Sequence, residues 1–456
     1  MAKKTKNAGW FWNFMEGLQG DKVVWMILLI LVMLSILAIS SSTPLLALQN
    51  DTTRAEIIKE QLFVVGLGLL AVVAIYNFKN IEKMMSLSKW GFLICLAMLI
   101  FIAVPLKIGP IKAVEINNAT RAISVFGLQL HVYEFTKVLM VMYLAWAVDA
   151  VRRDDLPLAN RLAATSWGGF FARKSWKYLL YIFGPILTVS VLILKGSVSS
   201  TIFIGGIMFI TVLVGGIKLK YLMPYAAIAV VLMALCVGLY FASDGAMFGR
   251  VGTAMERISR HSEDPMESLL KHKRGTAEFQ DVLDMIKQPV SAKVAISEAG
   301  FFGKGVGRST QRYVVPIMFE DYMFSFIVEE YGILGALLVI VLYASLLARG
   351  SLIVKKCNRA FERTAIAGLV ILISGQAFMH MLINVDLGPL TGQTLPMISH
   401  GKSSFLAFSM AFGIILSISR VAKKRMDKLS DDADAIVRRN DEVRDGLSDL
   451  NDFESN

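Results

Sequence analysis

An all-α protein threaded through a membrane about ten times, with a large outer loop between helices 7 and 8, is the fold that the sequence predicts. Three observations predict it. The 456-residue chain is 55% hydrophobic with a mean hydropathy of +0.57, above the roughly 45–50% apolar share of soluble domains. Its apolar runs are long enough to cross about 30 Å of hydrocarbon. Its Lys and Arg residues, which leave a net charge of +11, fall mainly in alternate loops between those runs, so membrane topology accounts for the excess. They form no single basic face, which excludes a nucleic-acid partner.

The runs lie near 23–40, 62–78, 91–105, 125–148, 178–194, 201–216, 221–241, 322–347, 364–385 and 404–418. With the tail that carries Lys3, Lys4 and Lys6 placed inside, the inner loops receive Lys79, Lys83 and Lys89, then Arg152 to Lys177, then Lys218 and Lys220. Arg349 to Arg363 and Arg420 to Lys428 follow on the same side, as the positive-inside rule requires. Both termini are therefore expected inside. The division is a tail 1–22, helices 1–7 over 23–241, the outer loop 242–321, helices 8–10 over 322–420 and a tail 421–456. The first tail precedes a full span with no small-residue cleavage site and reads as retained. The last, rich in Asp, Arg and Ser, is expected to be disordered or transiently helical. Cys95, Cys236 and Cys357 are scattered, with neither disulfide nor zinc spacing.

Charge in apolar surroundings marks the chemistry. Glu320 and Asp321 stand where the outer loop re-enters an apolar run, and Glu329 and Glu330 lie two to three turns further in. Ionisable groups at such depth are costly unless they face a cavity or partners. Arg121, His131, Glu134 and Lys137 precede another apolar run; Glu134 and Lys137, three apart, can pair on one face, and Arg121 and Lys137 can present cations to an anionic lipid head group. Lys195-Gly196-Ser197 reads as a turn. The glycines 303, 305 and 307 lack phosphate-loop spacing and are expected to permit close backbone turns. The five histidines are dispersed, and no metal site is expected of them.

Four stretches together resemble the SEDS family of bacterial cell-wall proteins (shape, elongation, division and sporulation). Ala119-Thr120-Arg121-Ala122-Ile123 with Glu134-Phe135-Thr136-Lys137 is similar to A-x-R-W-I … P-S-E-L-x-K, and the segment from Gly303 to Arg312 is similar to G-x-G-L-G-x-S-x-Q-K. Pro316 to Asp321, followed by Glu329-Glu330-Tyr331-Gly332, resembles L-P-E-A-H-T-D … E-E-L-G. The run from Thr391 to Ser404 resembles T-G-x-T-L-P-x-I-S-Y-G-G-S-S, and Thr394-Leu395-Pro396 is closer to the division type than to the elongation type. The chain departs from the family in lacking the aspartate of its Q-P-D turn, in His131-Val132-Tyr133 for Q-P-S, in Phe319 for a histidine, and in His400 and Lys402 for tyrosine and glycine.

The resemblance implies a ten-helix enzyme of the bacterial inner membrane, at the division septum, that polymerises lipid II into glycan strands. An acceptor 4-hydroxyl would attack the anomeric carbon of a polyprenyl-pyrophosphate donor, with Asp321 as general base. The spacing from Pro316 selects Asp321 over Glu320, and Glu320 together with partial desolvation is expected to raise the pKa of Asp321. Arg121, Lys137, Lys402 and Arg312 are the expected pyrophosphate cations, with or without Mg2+ or Mn2+ and with no nucleotide; Glu134 pairs with Lys137. Ser399, Ser403 and Ser404 are read either as donors to the substrate or as helix caps. The implied partners are a class B penicillin-binding transpeptidase and other division proteins. A lipid II flippase, an elongation-type polymerase and a scaffold remain alternatives.

Overall fold

The computed structural model describes residues 19–49, 51–116, 119–126, 128–165, 169–243, 249–262, 265–315, 318–388 and 391–454, with side chains not described beyond 432. Lys3, Lys4, Lys6 and Pro316, used above for topology and for spacing, lie outside the described residues. Among the described residues, eight helices are long and apolar enough to cross a membrane: α1 (Lys22–Ser42), α2 (Arg54–Tyr76), α3 (Ile81–Ala103), then α5 (Lys174–Leu194), α7 (Leu219–Ala242), α8 (Met323–Lys356), α9 (Ala360–Asn384) and α10, whose span is Lys402–Asp432. Between them stand α4 (Val132–Arg153), whose five charged residues set it apart by composition, and the shorter apolar α6 (Val198–Val214). That makes the ten expected helices of a polytopic all-α membrane protein.

The structure adds a small four-stranded antiparallel sheet in chain order, β1 (Lys107–Ile108), β2 (Ile111–Ile116), β3 (Ala119–Val125) and β4 (Leu128–His131). The fourth span therefore starts at Val132 and not at 125, and Arg121 sits on a strand. Ala122 pairs with His131 and Ile123 with Leu130, so β3 is registered directly onto the residue that leads into α4.

In the bundle, α9 packs between α4 and α8, and α10 lies along α2. Within a membrane, helices associate through close packing of small residues more than through hydrophobic expulsion. Gly368 on α9 is such a residue: a β-carbon there would press into Val141 of α4 and Thr211 of α6. Almost nothing covers α7, of which Leu222 is the one buried residue.

The outer loop is helical at Gly249–Ser262, Pro265–Leu270 and Ala277–Ser297. It re-enters the bundle through the glycine-rich turn, which inserts into a break in α8. Gly332 takes φ 68 and ψ −162, and the interrupted ladder is completed from outside: Lys304 N donates to Glu329 O at 2.8 Å and Gly305 N to Glu330 O at 3.0 Å, while Ile333 N donates to Gly300 O at 3.3 Å. A β-carbon on Gly303 or on Gly332 would collide with the other strand of this crossing, which is why both positions are glycine. Glu329 and Glu330 therefore precede the break, and are not two to three turns inside an uninterrupted span. The C-terminal segment, expected to be disordered or transiently helical, continues α10 to Glu454.

Candidate active site

The backbone from Phe319 to Ser325, which joins the outer loop to α8, is held from two directions. From the 391–404 segment, Ser399 Oγ donates to Glu320 O at 2.8 Å and His400 N donates to Phe319 O at 2.9 Å. From α9, Asn384 Nδ2 donates to Asp321 O at 3.1 Å, its Oδ1 accepts from Ser325 N at 2.9 Å, and His380 Nε2 accepts from Phe324 N at 3.3 Å. Gln376, His380 and Asn384 recur every four residues on one face of an apolar span. That polar stripe is the sequence signal that would have found them.

Fixed in this way, the half-buried Asp321 carboxylate makes no hydrogen bond or ion pair among the described residues. Gly392, at φ 63, backs it: a β-carbon there would lie 3.7 Å from Asp321 Oδ2. Burial pushes the Asp321 pKa up to about 6, against the pull of the Arg257 cation on the outer-loop helix. Glu320 is pushed up to about 7, by burial first and then by the Asp321 charge, with Lys402 opposing. The raised pKa expected of Asp321 is there, and of its two expected causes, desolvation and the Glu320 charge, burial leads. When Asp321 loses its proton Glu320 is still largely neutral, so burial and not Glu320 sets the lower of the pair's two titrations.

The surroundings of the pair are electrostatically two-sided. On one side a cavity of about 530 Å3 is lined by Glu56, Glu60, Phe319, Glu320, His400 and Lys402. Lys402 is ion-paired to Glu60. His400 is 8% exposed, has no hydrogen bond to either ring nitrogen, and stands 4.0 Å from Glu320 Oε1; burial first, then Lys402, lowers its pKa, so its ring is neutral at pH 7. On the other side Arg121, on β3, donates from Nε at 3.1 Å and Nη2 at 2.7 Å to Gly196 O. Burial and then the charges of Arg250 and Arg257 lower its pKa, the signature of crowded cations. The sequence did not single out Arg250 and Arg257, because only the folded outer loop brings them to Arg121 and Asp321.

Several expected substrate contacts are occupied by the protein itself. Lys137, 2% exposed, gives its ammonium to Glu134 Oε1 at 2.7 Å, Gln376 Oε1 at 2.7 Å and Gln393 Oε1 at 3.0 Å. An ammonium has three donors, so Lys137 and Glu134 anchor α4 to α9 and to the 391–404 segment. Ser403 accepts from His131 N at 2.9 Å and donates to Gln129 O at 3.2 Å, and Ser404 is bonded to Thr394 Oγ1 at 2.7 Å. These hydroxyls, like that of Ser399, stitch segments together. Arg312 donates to Gly307 O at 2.6 Å and Ser41 O at 3.1 Å, 3.9 Å from Glu330; it is built into the clamp around the glycine-rich turn and does not face Asp321.

That clamp unites two of the recognised stretches. The fully buried Glu329 accepts from Lys304 Nζ at 2.7 Å, Thr310 N at 2.9 Å and Ser309 Oγ. Glu330 accepts from Ser41 Oγ at 2.6 Å and Gly307 N at 2.9 Å. The carboxylates on α8 thus bind the glycine-rich turn to the end of α1.

A family model described as "Cell cycle protein" and labelled FtsW, RodA and SpoVE matches residues 21–424. A relative from Trichlorobacter lovleyi named "Probable peptidoglycan glycosyltransferase FtsW" is 25% identical over 406 residues, which is 88% of this chain and 93% of that protein. One of the same name from Caulobacter vibrioides is 37% identical over 133 residues, 29% of this chain and only 34% of that protein. The fold is similar to the crystal structure of Thermus thermophilus rod shape determining protein RodA, with a TM-score of 0.56 at 20% identity, covering 89% of this chain and 98% of that one. It is also similar to a chain of a peptidoglycan synthase complex, with a TM-score of 0.57 at 20% identity over 88% and 98%. By a match that runs almost from end to end, the chain belongs to the FtsW, RodA and SpoVE family of cell cycle proteins, the family of the four stretches read from its sequence.

Proposed function

We propose that this protein is a peptidoglycan glycosyltransferase that polymerises lipid II on the outer face of a bacterial cytoplasmic membrane, with both termini inside. One observation carries the reading: a carboxylate at the outer end of a span, rigidly held through its backbone, unpartnered at its side chain, and titrating near 6. A structural carboxylate would have donors, as Glu329 has. The names of its relatives as peptidoglycan glycosyltransferases agree with this chemistry.

A sugar hydroxyl is a weak nucleophile near pH 7, and a base with a pKa close to the working pH is the effective one. Asp321 takes the proton of the acceptor 4-hydroxyl as it attacks the anomeric carbon of the donor, with inversion. The pyrophosphate leaves toward the cationic side, where Arg121, Arg250 and Arg257 would meet the developing charge. Glu320, Lys402 and His400 line the cavity on the opposite side of Asp321.

Among the described residues no group of three or more His, Cys, Asp or Glu could hold a metal by itself. The Glu320–Asp321 pair nevertheless fits a divalent ion shared with substrate phosphates, since Mg2+ needs only one or two protein carboxylates in such complexes. Glu320 would hold it, and Mg2+ or Mn2+ there would supply charge for the pyrophosphate. The partner is proposed to be a class B penicillin-binding transpeptidase with other division proteins, and the place of action the division septum.

The test is polymerisation of fluorescent lipid II by the purified protein, with and without the co-purified transpeptidase. Glycan ladders from the wild type and none from Asp321→Asn are expected, with expression and complex formation unchanged. A fully active Asp321→Asn, or transfer of intact lipid across liposomes without polymer, overturns the assignment.

A further inference from the structure

At the opposite end of the bundle from Asp321, a second cavity of about 300 Å3 opens between the start of α1 and the end of the α10 span. Lys22, Arg420, Lys423 and Lys424 line it, and Asp427 is the one acid among its lining residues. Four positive charges against one are left standing because the nearest other acid is engaged: Asp21 caps α1 at Val23 N and Val24 N, at 3.1 and 3.2 Å, and pairs with Arg349 at 2.6 Å.

The walls are built and not incidental. Arg420 is only 6% exposed, its guanidinium carbon lies 4.2 Å from the centroid of the Tyr76 ring, and its buried Nη2 has no hydrogen-bond partner among the described residues. Tyr76 is itself fixed, through its hydroxyl to Gln19 N and O at 3.1 Å each and by an edge contact with Trp25 at 5.2 Å. Gly20, at φ 98, lets the incoming chain lie against the α10 backbone: a β-carbon there would be 3.3 Å from Arg420 N and Leu416 O. A buried guanidinium with a spare donor costs stability unless an acceptor reaches it, and three exposed lysine positions around it make any such acceptor an anion.

We infer that this cavity binds the phosphate of an anionic phospholipid head group. The location decides for a lipid over a soluble anion. Arg420 belongs to the last span, at the end where α10 leaves the hydrocarbon, and basic pockets between membrane helices on the inner side take acidic head groups. The bound lipid ties the start of α1 to the end of α10 at the point where α10 leaves the membrane. This site is independent of the polymerase reading, since it shares no residue with the Asp321 region.

The experiment is native mass spectrometry of the full-length protein released from micelles containing either phosphatidylglycerol or phosphatidylcholine, repeated with millimolar inorganic phosphate. One tightly retained phosphatidylglycerol is expected, with phosphatidylcholine stripped at lower energy. The exposed pair Lys423→Gln/Lys424→Gln should weaken retention by about fivefold for each lysine removed, and Arg420→Gln should weaken it further. Lys355→Gln/Lys356→Gln, basic positions at the same end of the bundle that do not line the cavity, should retain the lipid as the wild type does. Equal retention of both lipids, or full retention by the Lys423/Lys424 variant, overturns the proposal. Displacement of the lipid by inorganic phosphate alone would assign the cavity to a free anion and overturn it as well.

Discussion

Two carboxylate pairs on one stretch of chain, Glu320–Asp321 and Glu329–Glu330, look interchangeable in the sequence and are opposites in the fold. The second pair is sealed from solvent and accepts hydrogen bonds from six residues, Ser41, Lys304, Gly307, Ser309, Thr310 and Gln311. Among the described residues the first pair is hydrogen-bonded only through its backbone, and the half-buried Asp321 carboxylate has no partner. Hydrogen bonds to the ionised form make a carboxylate inert, whereas burial without donors raises its basicity. The number of donors, and not depth in the membrane, separates the reactive pair from the structural one.

The largest expected effect tests the reactive side. Asp321→Asn keeps the shape and removes the base, so polymerisation should fall by about 10² to 10⁴-fold, while thermal unfolding in detergent should match the wild type. A variant that loses both activity and stability would mean that Asp321 belongs with the clamp.

Next in size is the clamp itself. Glu329→Gln removes the charge from a site crowded with donors and sets an amide NH2 against them, costing about 1.5–3 kcal/mol for charged hydrogen bonds lost. Thermal unfolding should shift down, and limited proteolysis should cut within residues 300–312, where the wild type resists. Residual activity should keep the wild-type pH profile. Unchanged protease resistance would contradict the account of Glu329 as the anchor of the glycine-rich turn.

How much of this contrast was legible in the sequence follows from the range of the interactions involved. The succession of membrane-length helices was, because long apolar runs separated by charged loops are read directly from hydropathy. Asp321 was legible as a candidate, through a motif and the cost of charge beside an apolar run. The roles of Lys137, Arg312 and the serines were not: each depends on acceptors from distant segments, such as Gln376 and Gln393 for Lys137, or Ser41 and Gly307 for Arg312. The sheet was not legible, although β-branched residues recur from Ile111 to Val125, because the segment stands in the sequence as a short connection between the apolar runs at 91–105 and 125–148. Gly332 gave no warning of the break in α8, since its cause is the glycine-rich turn some thirty residues earlier.

A finer test divides the reactive pair. Activity needs ionised Asp321, whose folded pKa is raised to about 6, so the rate should rise with pH through about 6 and fall roughly tenfold per unit below it. Glu320→Gln should leave that inflection in place, because Glu320, titrating at about 7, is already neutral where Asp321 loses its proton. It should remove any second inflection near 7. An acid limb displaced downward in Glu320→Gln would instead show that the Glu320 charge, and not burial, lifts Asp321.

The smallest effect probes what holds the pair. Ser399 Oγ donates to Glu320 O and accepts from Leu395 N at 2.9 Å, so Ser399→Ala deletes one part-buried hydrogen bond to the backbone of the reactive segment and one buried bond within the 391–404 segment. Each is worth about 0.5–1.5 kcal/mol, enough to lower the unfolding temperature slightly. If the serine positions the segment, turnover should drop severalfold while the apparent KM for lipid II and the inflection near pH 6 stay unchanged, because neither the phosphate contacts nor the burial of Asp321 depends on that hydroxyl. A rise in KM with turnover preserved would place Ser399 on the substrate itself, and would move the boundary between reactive and structural groups from the Asp321 carboxylate out to the 391–404 segment.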